Sequence, residues 1–196
     1  IPKPIYGYRI LMHPSGRKYI VAQNGLYEIN KNQDSLISYY GKQLCVEHNV
    51  KTTRKPFPFE TIYDAWFNAQ GNCWFCTGGE GLWFWDKKKN TYKQFSFLDG
   101  LPSDILYRIE PDAKGRLWIS SDNGIICFNP ETGTSMIFTT QTGLSHNEFN
   151  RASSFLDNNG MIYFGSINGI NAFHPDSLLN SQRQVELPIK VISKTK

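Results

Sequence analysis

The sequence has 196 residues, of which 40% are apolar and 14% aromatic, and its formal net charge is +4. The aromatic content excludes a disordered chain, and a weak, scattered positive charge gives no indication of nucleic-acid binding. No apolar run reaches the roughly 18 residues that a membrane-spanning helix needs. The first residues show no signal-peptide layout, so we expect the sequence to be a piece of a longer protein.

One pattern occurs four times along the chain. Each copy runs from an anchor glycine through an aromatic residue and a large apolar residue to a second glycine. Successive anchors are 55, 44 and 45 residues apart. The anchors are Gly16, Gly71, Gly115 and Gly160; the aromatic residues are Tyr19, Trp74, Trp118 and Tyr163; the second glycines are Gly25, Gly81, Gly124 and Gly169. Glycine at the second position suits the positive φ of a tight hairpin, so each copy predicts strand, turn, strand.

Further strands flank each hairpin. A β-prone segment precedes every anchor, at 8–12, 62–67, 105–109 and 152–156. A third strand follows the hairpin in three copies, at 35–40, 92–97 and 135–140. The fourth copy lacks a clear outer strand, and no segment shows a helical period. The repeats therefore extend over about 8–40, 62–97, 105–140 and 152–179.

Four short strands in about 45 residues are typical of a β-propeller blade. A β-sandwich with regular turns is the alternative, but it does not explain the matching columns. We therefore predict an all-β fold of about four four-stranded antiparallel blades, an arc of a larger propeller whose last blade is incomplete. Residues 1–180 form the blades, and residues 181–196 are a closing strand or the start of another domain. Because the end blades have no neighbours, self-association, for example as a homodimer, is expected.

Two segments resemble a known family. "GLPSDILYRIEPDAKGRLWISSDNGIICFNPETG" resembles the two-component regulator propeller repeat, and "GLSHNEFNRASSFLDNNGMIYFGSINGINAFHPDSL" resembles the last repeat of such propellers. The tail "PIKVISKTK" resembles the start of the immunoglobulin-like domain that follows them.

The resemblance implies the periplasmic sensor region of a hybrid two-component system of Bacteroidetes type. The parent would hold further blades, an immunoglobulin-like domain, a membrane helix and histidine kinase and response regulator domains. Its signals would be glycan breakdown products, so an oligosaccharide is the expected ligand. This piece would bind the ligand or relay its binding, without catalysis. A secreted propeller that binds glycan or protein is the alternative, and an enzyme is third.

Metal, cofactor and catalytic signals are weak. Cys73 and Cys76 lie three apart on one strand and therefore on opposite faces, which opposes chelation, and Cys127 fits the core. Cys45 and His48, also three residues apart, are a second pair of possible metal ligands. The histidines are scattered, and no Ser-His-Asp grouping or phosphate loop is present. We predict no metal and no cofactor.

The loops that lead from one blade to the next are the candidate binding elements. These connections are 98–104, 141–150 and the long 41–60. In the long one, Arg54 and Lys55 lie beside Phe57 and Phe59, a combination that suits an anionic sugar; the alternative is a solvated insertion whose phenylalanines cover a blade edge. His146, Asn147, Asn150 and Arg151 offer polar groups near the ring axis, although Asn150 with Phe149 also suits a structural lock on the last blade.

Overall fold

The computed structural model describes residues 6–32, 36–40 and 57–183, with the backbone alone at 36–40 and 182–183. Its strands form four antiparallel sheets in chain order. Blade 1 contains β1 (Gly7–Met12), β2 (Lys18–Ala22), β3 (Gly25–Ile29) and β4 (Leu36–Tyr40). Blade 2 contains β5 (Ile62–Phe67), β6 (Cys73–Thr77), β7 (Leu82–Asp86) and β8 (Thr91–Phe95).

The second half of the chain repeats this plan. Blade 3 contains β9 (Leu106–Pro111), β10 (Leu117–Ser121), β11 (Gly124–Asn129) and β12 (Thr134–Phe138). Blade 4 contains β13 (Phe149–Leu156), β14 (Ile162–Ser166) and β15 (Gly169–Phe173), followed by α1 (Pro175–Arg183). Short 3₁₀ turns at Phe97–Asp99 and Thr140–Thr142 begin the connections that lead to blades 3 and 4.

The architecture is that of β-propeller blades, as predicted. In every sheet the strands pair in sequence order, and the four glycine-anchored segments are the second and third strands of their sheets. The first strands of successive blades pack against one another: β1 on β5, β5 on β9 and β9 on β13. The first strands therefore line the axis of the arc, and the outer strands lie at its rim.

The columns of the repeat form the core between the blades. The aromatic position is almost fully buried in the first three blades: Tyr19 is 0% exposed, Trp74 4% and Trp118 0%. The next position faces the opposite side of each sheet, and Phe75, Ile119 and Phe164 are buried there too. Because both faces of a blade are covered by neighbours, both columns have to be apolar.

Blade 4 ends in a helix that was not predicted. Pro175 stands at its first position and Asp176 in its first turn, both of which favour a helix start. Leu178 and Leu179 pack against the core shared by blades 3 and 4. Nine residues are too few for a clear helical period, and the helix depends on this packing. Residues beyond 183, where a closing strand or a new domain was predicted, lie outside the described residues.

Candidate functional site

Charged side chains from the inner strands meet at the axis. Arg9 of β1 forms ion pairs with Asp64 of β5 at 2.8 Å and with Glu110 of β9 at 3.1 Å. Arg108, also on β9, lies 3.5 Å from the other oxygen of Asp64. Ser154 of β13 donates to Glu110 Oε1 at 2.6 Å and accepts from Arg108 Nε at 3.0 Å. The network, which we call the axial charge network, therefore joins all four blades.

This network also completes the backbone of β9. The N–H of Ile109 donates to Asp64 Oδ2 at 3.0 Å, and the carbonyl of Ile109 accepts from Arg9 Nη1 at 3.1 Å. The inner strand of a blade is an edge strand, so its axial N–H and C=O groups lack a strand partner. Asp64 and Arg9 supply those partners. Burial raises the pKa of the Asp64 carboxyl, while Arg9 and Arg108 act in the opposite direction.

Three tyrosines stand beside this network at one mouth of the axis. Tyr8, Tyr63 and Tyr107 each precede the charged residue of their strand, at Arg9, Asp64 and Arg108. The ring centres of Tyr8 and Tyr63 are 6.4 Å apart, and those of Tyr63 and Tyr107 are 5.9 Å apart. We call this group the tyrosine mouth. It lies at the end of the inner strands where the connections from preceding blades arrive.

Arg151 reaches the same mouth from blade 4. Its guanidinium carbon is 5.0 Å from the ring centre of Tyr63, a cation–π distance. Arg151 is exposed and Tyr63 half-buried, so both are accessible to a ligand. Burial raises the pKa of the Tyr107 hydroxyl, and the carboxylates of Asp122 and Glu148 raise it further. Asp122 Oδ1 is buried and has no hydrogen-bond partner among the described residues.

The other residues predicted near the axis hold the connection to blade 4. Asn147 accepts from Thr140 N at 2.7 Å, and Asp104 accepts from Phe97 N at the same distance in the preceding connection. His146 Nδ1 accepts from Glu148 N at 2.9 Å. These contacts shape the loop itself.

The remaining polar residue of that group contacts its own blade. Asn150 donates to the carbonyl of Ser166 at 3.2 Å, joining β13 to the end of β14. Such a bond suits the structural lock considered from the sequence. Of the four residues, Arg151 is the one whose charged group lies against the tyrosine mouth.

The long connection contributes two aromatic side chains to the core. Phe57 and Phe59 are 2% and 1% exposed, and their rings stack at 5.0 Å. Both pack on Phe75 of blade 2, at 4.9 and 5.1 Å. These two side chains therefore cover the blade. Arg54 and Lys55 lie outside the described residues, and their role in binding stays a prediction.

The cysteines of the described ranges are buried thiols. Cys73 and Cys76 are 0% exposed, and burial raises their pKa well above the usual value of a thiol. Burial likewise raises the pKa of Cys127 to about 11. Such thiols are poor ligands and poor nucleophiles, because both roles need the thiolate. Cys45 and His48 lie outside the described residues.

Sequence reasoning missed the axial charge network and the tyrosine mouth. The signal was present as a tyrosine followed by a charged residue in each of three first strands, at 8–9, 63–64 and 107–108. Charged residues in a predicted strand would ordinarily be assigned to a solvent-exposed face. Only the placement of the first strands around an axis gives these columns a meaning.

The fold and the site define an arc of propeller blades whose polar axis opens at an aromatic mouth. No family model matches the chain. Over 107 residues, or 53% of its length, the chain is 34% identical to histidine kinase P4 of Formosa agariphila, of which it covers 8%.

Similarity to solved structures supports the same class of protein. The chain is similar to the extracellular domain of BT3049 from B. thetaiotaomicron, which is assigned to the hybrid two component systems, with 25% identity and a TM-score of 0.67. That match covers 95% of this chain and 25% of the other. These similarities confirm the predicted resemblance to the sensor region of hybrid two-component systems, and they support an extracytoplasmic sensor domain.

An enzyme shares the fold at lower similarity. Virginiamycin B lyase from Staphylococcus aureus superposes with a TM-score of 0.59 at 16% identity, over 88% of this chain and 57% of the enzyme. A likeness at this identity concerns the propeller fold alone. In the ranges that the structure describes, no helix is long and apolar enough to cross a membrane.

Proposed function

We propose that the chain is part of a periplasmic sensor propeller, and that it binds an oligosaccharide released by glycan breakdown at the tyrosine mouth. The observation that carries the proposal is the position of Arg151 over Tyr63, beside Tyr107 and at the end of the axial charge network. The parent protein would add further blades, an immunoglobulin-like domain, a membrane helix and the histidine kinase. The binding event would then be relayed to that kinase.

The chemistry of the mouth suits a sugar that carries an acidic group. A sugar ring presents C–H groups that pack on aromatic faces, as the tyrosines allow. Its hydroxyls can pair with the tyrosine hydroxyls. The guanidinium of Arg151 can pair with a carboxylate or sulfate through two parallel bonds. Arg54 and Lys55 would add positive charge if their loop reaches the same mouth.

Binding without catalysis is the form of the proposal that the site supports best. The charged groups at the axis form ion pairs with one another and hydrogen bonds with the backbone of Ile109. A general acid or base needs a carboxyl or imidazole that can reach a substrate proton, and Asp64 is fully buried behind the two arginines. The alternative is a secreted, non-signalling propeller that binds glycan or protein at the same mouth. The downstream coding sequence separates the two, since only a sensor continues into a membrane helix and a kinase.

Calorimetry on the intact chain tests the proposal. Uronic-acid and sulfated oligosaccharides form one arm, and neutral oligosaccharides of the same length form the other. We expect tighter binding in the acidic arm. Arg151→Ala should weaken it about ten- to a hundredfold, because a hydrogen bond to a charged group contributes about 1.5–3 kcal/mol. Tyr63→Leu should weaken both arms, because it removes the stacking face.

Lys114→Ala is the matched control. Lys114 is a charged residue in the turn at the opposite end of β9, far from the tyrosine mouth along the strand. Its removal should leave affinity unchanged. Binding that is equally strong in Arg151→Ala, Tyr63→Leu and wild type would place the ligand elsewhere. A chain that binds no saccharide of either arm would count against ligand sensing by these blades.

A further inference from the structure

The four turns between the first and second strands of the blades are built alike. In each, the first residue's N–H bonds to the carbonyl four residues on, at 2.8 to 3.0 Å. These first residues are His13, Asn68, Asp112 and Asp157. The turn thus presents one side chain at an equivalent place in every blade, close to the aromatic column. A different side chain in the turn therefore gives the aromatic residue of that blade a different polar neighbour.

In blade 3 the turn residue satisfies the tryptophan. Asp112 Oδ1 accepts from the backbone N–H groups of Lys114 and Arg116, at 2.9 and 3.0 Å. Asp112 Oδ2 accepts from Trp118 Nε1 at 2.9 Å. The polar tips of this column find an acidic partner in blades 1 and 4 as well: Tyr19 donates to Glu28 at 3.0 Å, and Tyr163 is 3.5 Å from Asp157.

Blade 2 has the same geometry with one changed atom. Asn68 Oδ1 accepts from the N–H groups of Gln70 and Asn72, at 3.1 and 3.0 Å, as Asp112 Oδ1 does in its own turn. These two donors fix which end of the amide is oxygen. The atom that matches Asp112 Oδ2 is therefore the Nδ2 of Asn68, which is a donor. Trp74 Nε1 and Asn68 Nδ2 are both donors and cannot bond to each other as Trp118 and Asp112 do.

The two tryptophans are placed alike, so this mismatch is real. Trp74 lies 5.9 Å from Phe95 and 5.4 Å from Phe128, and Trp118 lies 5.6 Å from Phe138 and 4.9 Å from Phe173, between ring centres. Trp74 is 4% exposed, and none of the hydrogen bonds among the described residues uses its indole N–H, whereas that of Trp118 donates to Asp112.

A cleft opens at this point. It has a volume of about 290 Å³ and lies between blades 2 and 3. Its lining consists of Asn68, Trp74, Phe84, Lys93, Phe95, Pro130 and Glu131. The rings of Trp74 and Phe84 are 4.7 Å apart, and Lys93 Nζ lies 4.5 Å from the centre of Phe95. The size suits one sugar-sized ring, at the lower end of ligand sites.

Between blades 3 and 4 the corresponding polar groups are paired within the protein, beside a larger cleft of about 500 Å³. There Arg116 bridges Asp112 at 2.6 Å and Asp176 at 2.8 Å. The residue of blade 2 that corresponds to Arg116 is Asn72, which is too short and uncharged to do the same. The sequence thus removes both the carboxylate and the arginine from this one seam and leaves donors facing an open space.

We propose that this cleft is a second binding site, independent of the tyrosine mouth, for a small ring-shaped ligand that carries a carboxylate. The carboxylate accepts from Trp74 Nε1, Asn68 Nδ2 and Lys93 Nζ. The ring lies on Trp74 and Phe84, and its hydroxyls can donate to the carboxylate of Glu131 at the rim. The ligand supplies the acceptor that Asp112 supplies inside blade 3.

NMR of the tryptophan indole N–H groups in the intact chain tests the site. The chain has five tryptophans, and Trp74→Phe identifies the resonance of Trp74. Sodium glucuronate is the probe, and glucose is its uncharged match. We expect glucuronate at millimolar concentration to shift the Trp74 N–H resonance and leave that of Trp118, which is already bonded, in place. Glucose should bind at least about tenfold more weakly, because it lacks the charge-assisted bonds.

The variant Asn68→Asp separates the site from a mere packing defect. It recreates the pair of Asp112 and Trp118, and the turn tolerates aspartate, as blades 3 and 4 show. The Trp74 N–H should then shift without any ligand, the melting temperature should rise, and glucuronate should bind at least about tenfold more weakly. Three results would overturn the proposal: a Trp74 resonance unmoved by glucuronate, as for a cleft that holds only water; equal binding of glucose; or unchanged glucuronate binding in Asn68→Asp.

Discussion

Arg9 and Asp64 are 55 residues apart in the chain, and they form an ion pair of 2.8 Å at the axis of the arc. Asp64 is fully buried, whereas the Arg9 side chain keeps a quarter of its surface exposed. The pair connects the inner strands of blades 1 and 2, and through Ile109 it also holds the inner strand of blade 3. Three blades therefore depend on one carboxylate.

Removal of this carboxylate should be strongly destabilising. Asp64→Ala leaves Arg9 and Arg108 without their shared anion, and it leaves the N–H of Ile109 without an acceptor. Breaking a buried ion pair in this way costs about 3–5 kcal/mol of the free energy of unfolding. Urea denaturation followed by far-ultraviolet circular dichroism measures it.

The surface pair of Lys89 and Asp86 is the matched control for Asp64→Ala. Its nitrogen–oxygen distance is 3.6 Å and the Lys89 side chain is 75% exposed. Lys89→Ala should change the free energy of unfolding by no more than about 0.5 kcal/mol. Equal effects of the two substitutions would mean that the axial charge network does not hold the blades together.

The contact of α1 with blade 3 should depend on pH. Hydrogen bonds from Lys114 and Arg116 lower the pKa of Asp176 from 3.8 to about 2. Because the pKa of the folded state is the lower one, the contact stabilises α1 fully above 3.8 and is lost as the pH falls through about 2. The protection factors of the Leu178 and Leu179 amides, which correct for the pH dependence of intrinsic exchange, should fall over that range. NMR titration of the carboxyl follows the same event.

Lys114→Met provides the check on this assignment. The substitution keeps the length of the side chain and removes its charge, so the pKa of Asp176 should return toward its usual value. As the pH falls, Asp176 would then become protonated, and α1 would lose this contact with blade 3, at a higher pH than in wild type. An Asp176 pKa that is the same in both chains would show that the salt bridge is not formed in solution.

The blades could be predicted from the sequence, but the axial charge network at their centre could not. The columns of Tyr19, Trp74 and Trp118 repeat because every blade needs the same packing, and such a pattern is visible without coordinates. The identities of Arg9 and Asp64 do not repeat, because each pairs with an opposite charge on another blade. Their pairing depends on the ring arrangement, which brings Arg9 into contact with Asp64, 55 positions away, and with Glu110, 101 positions away. The same holds for Asn68, whose meaning lies in its contrast with Asp112.

The end blades should make the chain associate. Ile170 is 72% exposed, whereas the matching residues of the first three blades, Leu26, Leu82 and Ile125, are 0% exposed. Phe155 on the same blade is 61% exposed. The column of Ile170 is covered in each of the first three blades, and no described residue covers Ile170 or Phe155 on blade 4. We therefore expect light scattering to give a mass above the 22.5 kDa of one chain.

Polar substitutions on blade 4 should reverse the association. Phe155→Ser combined with Ile170→Ser removes the apolar surface from that face and leaves the buried seams unchanged, so the mass should fall toward that of a monomer. The pair Lys87→Ser and Lys89→Ser, on the turn of blade 2, would not be a clean control because Lys87 packs on Tyr19. Lys18→Ser on blade 1 would not be a clean control either, because Lys18 also has an interaction partner. Asn158→Ser, in an exposed turn, is the better one, and it should not change the mass. A wild-type chain that is already a stable monomer would contradict the prediction.

Two glycines with similar backbones should respond differently to alanine. Gly124 begins β11 at φ 109°, and Gly143 ends a 3₁₀ turn at φ 104°, both in a region that costs an L-residue about 1–2 kcal/mol. A Cβ on Gly143 meets no atom within 4 Å, whereas a Cβ on Gly124 clashes with the backbone carbonyl of Phe138. Gly143→Ala should therefore cost the strain alone, and Gly124→Ala should cost about 1–3 kcal/mol more, because β12 has to move. Urea denaturation of the two variants measures the difference. Equal losses would show that the outer strand yields without cost, and that the hairpin glycines of this repeat serve backbone conformation rather than close approach.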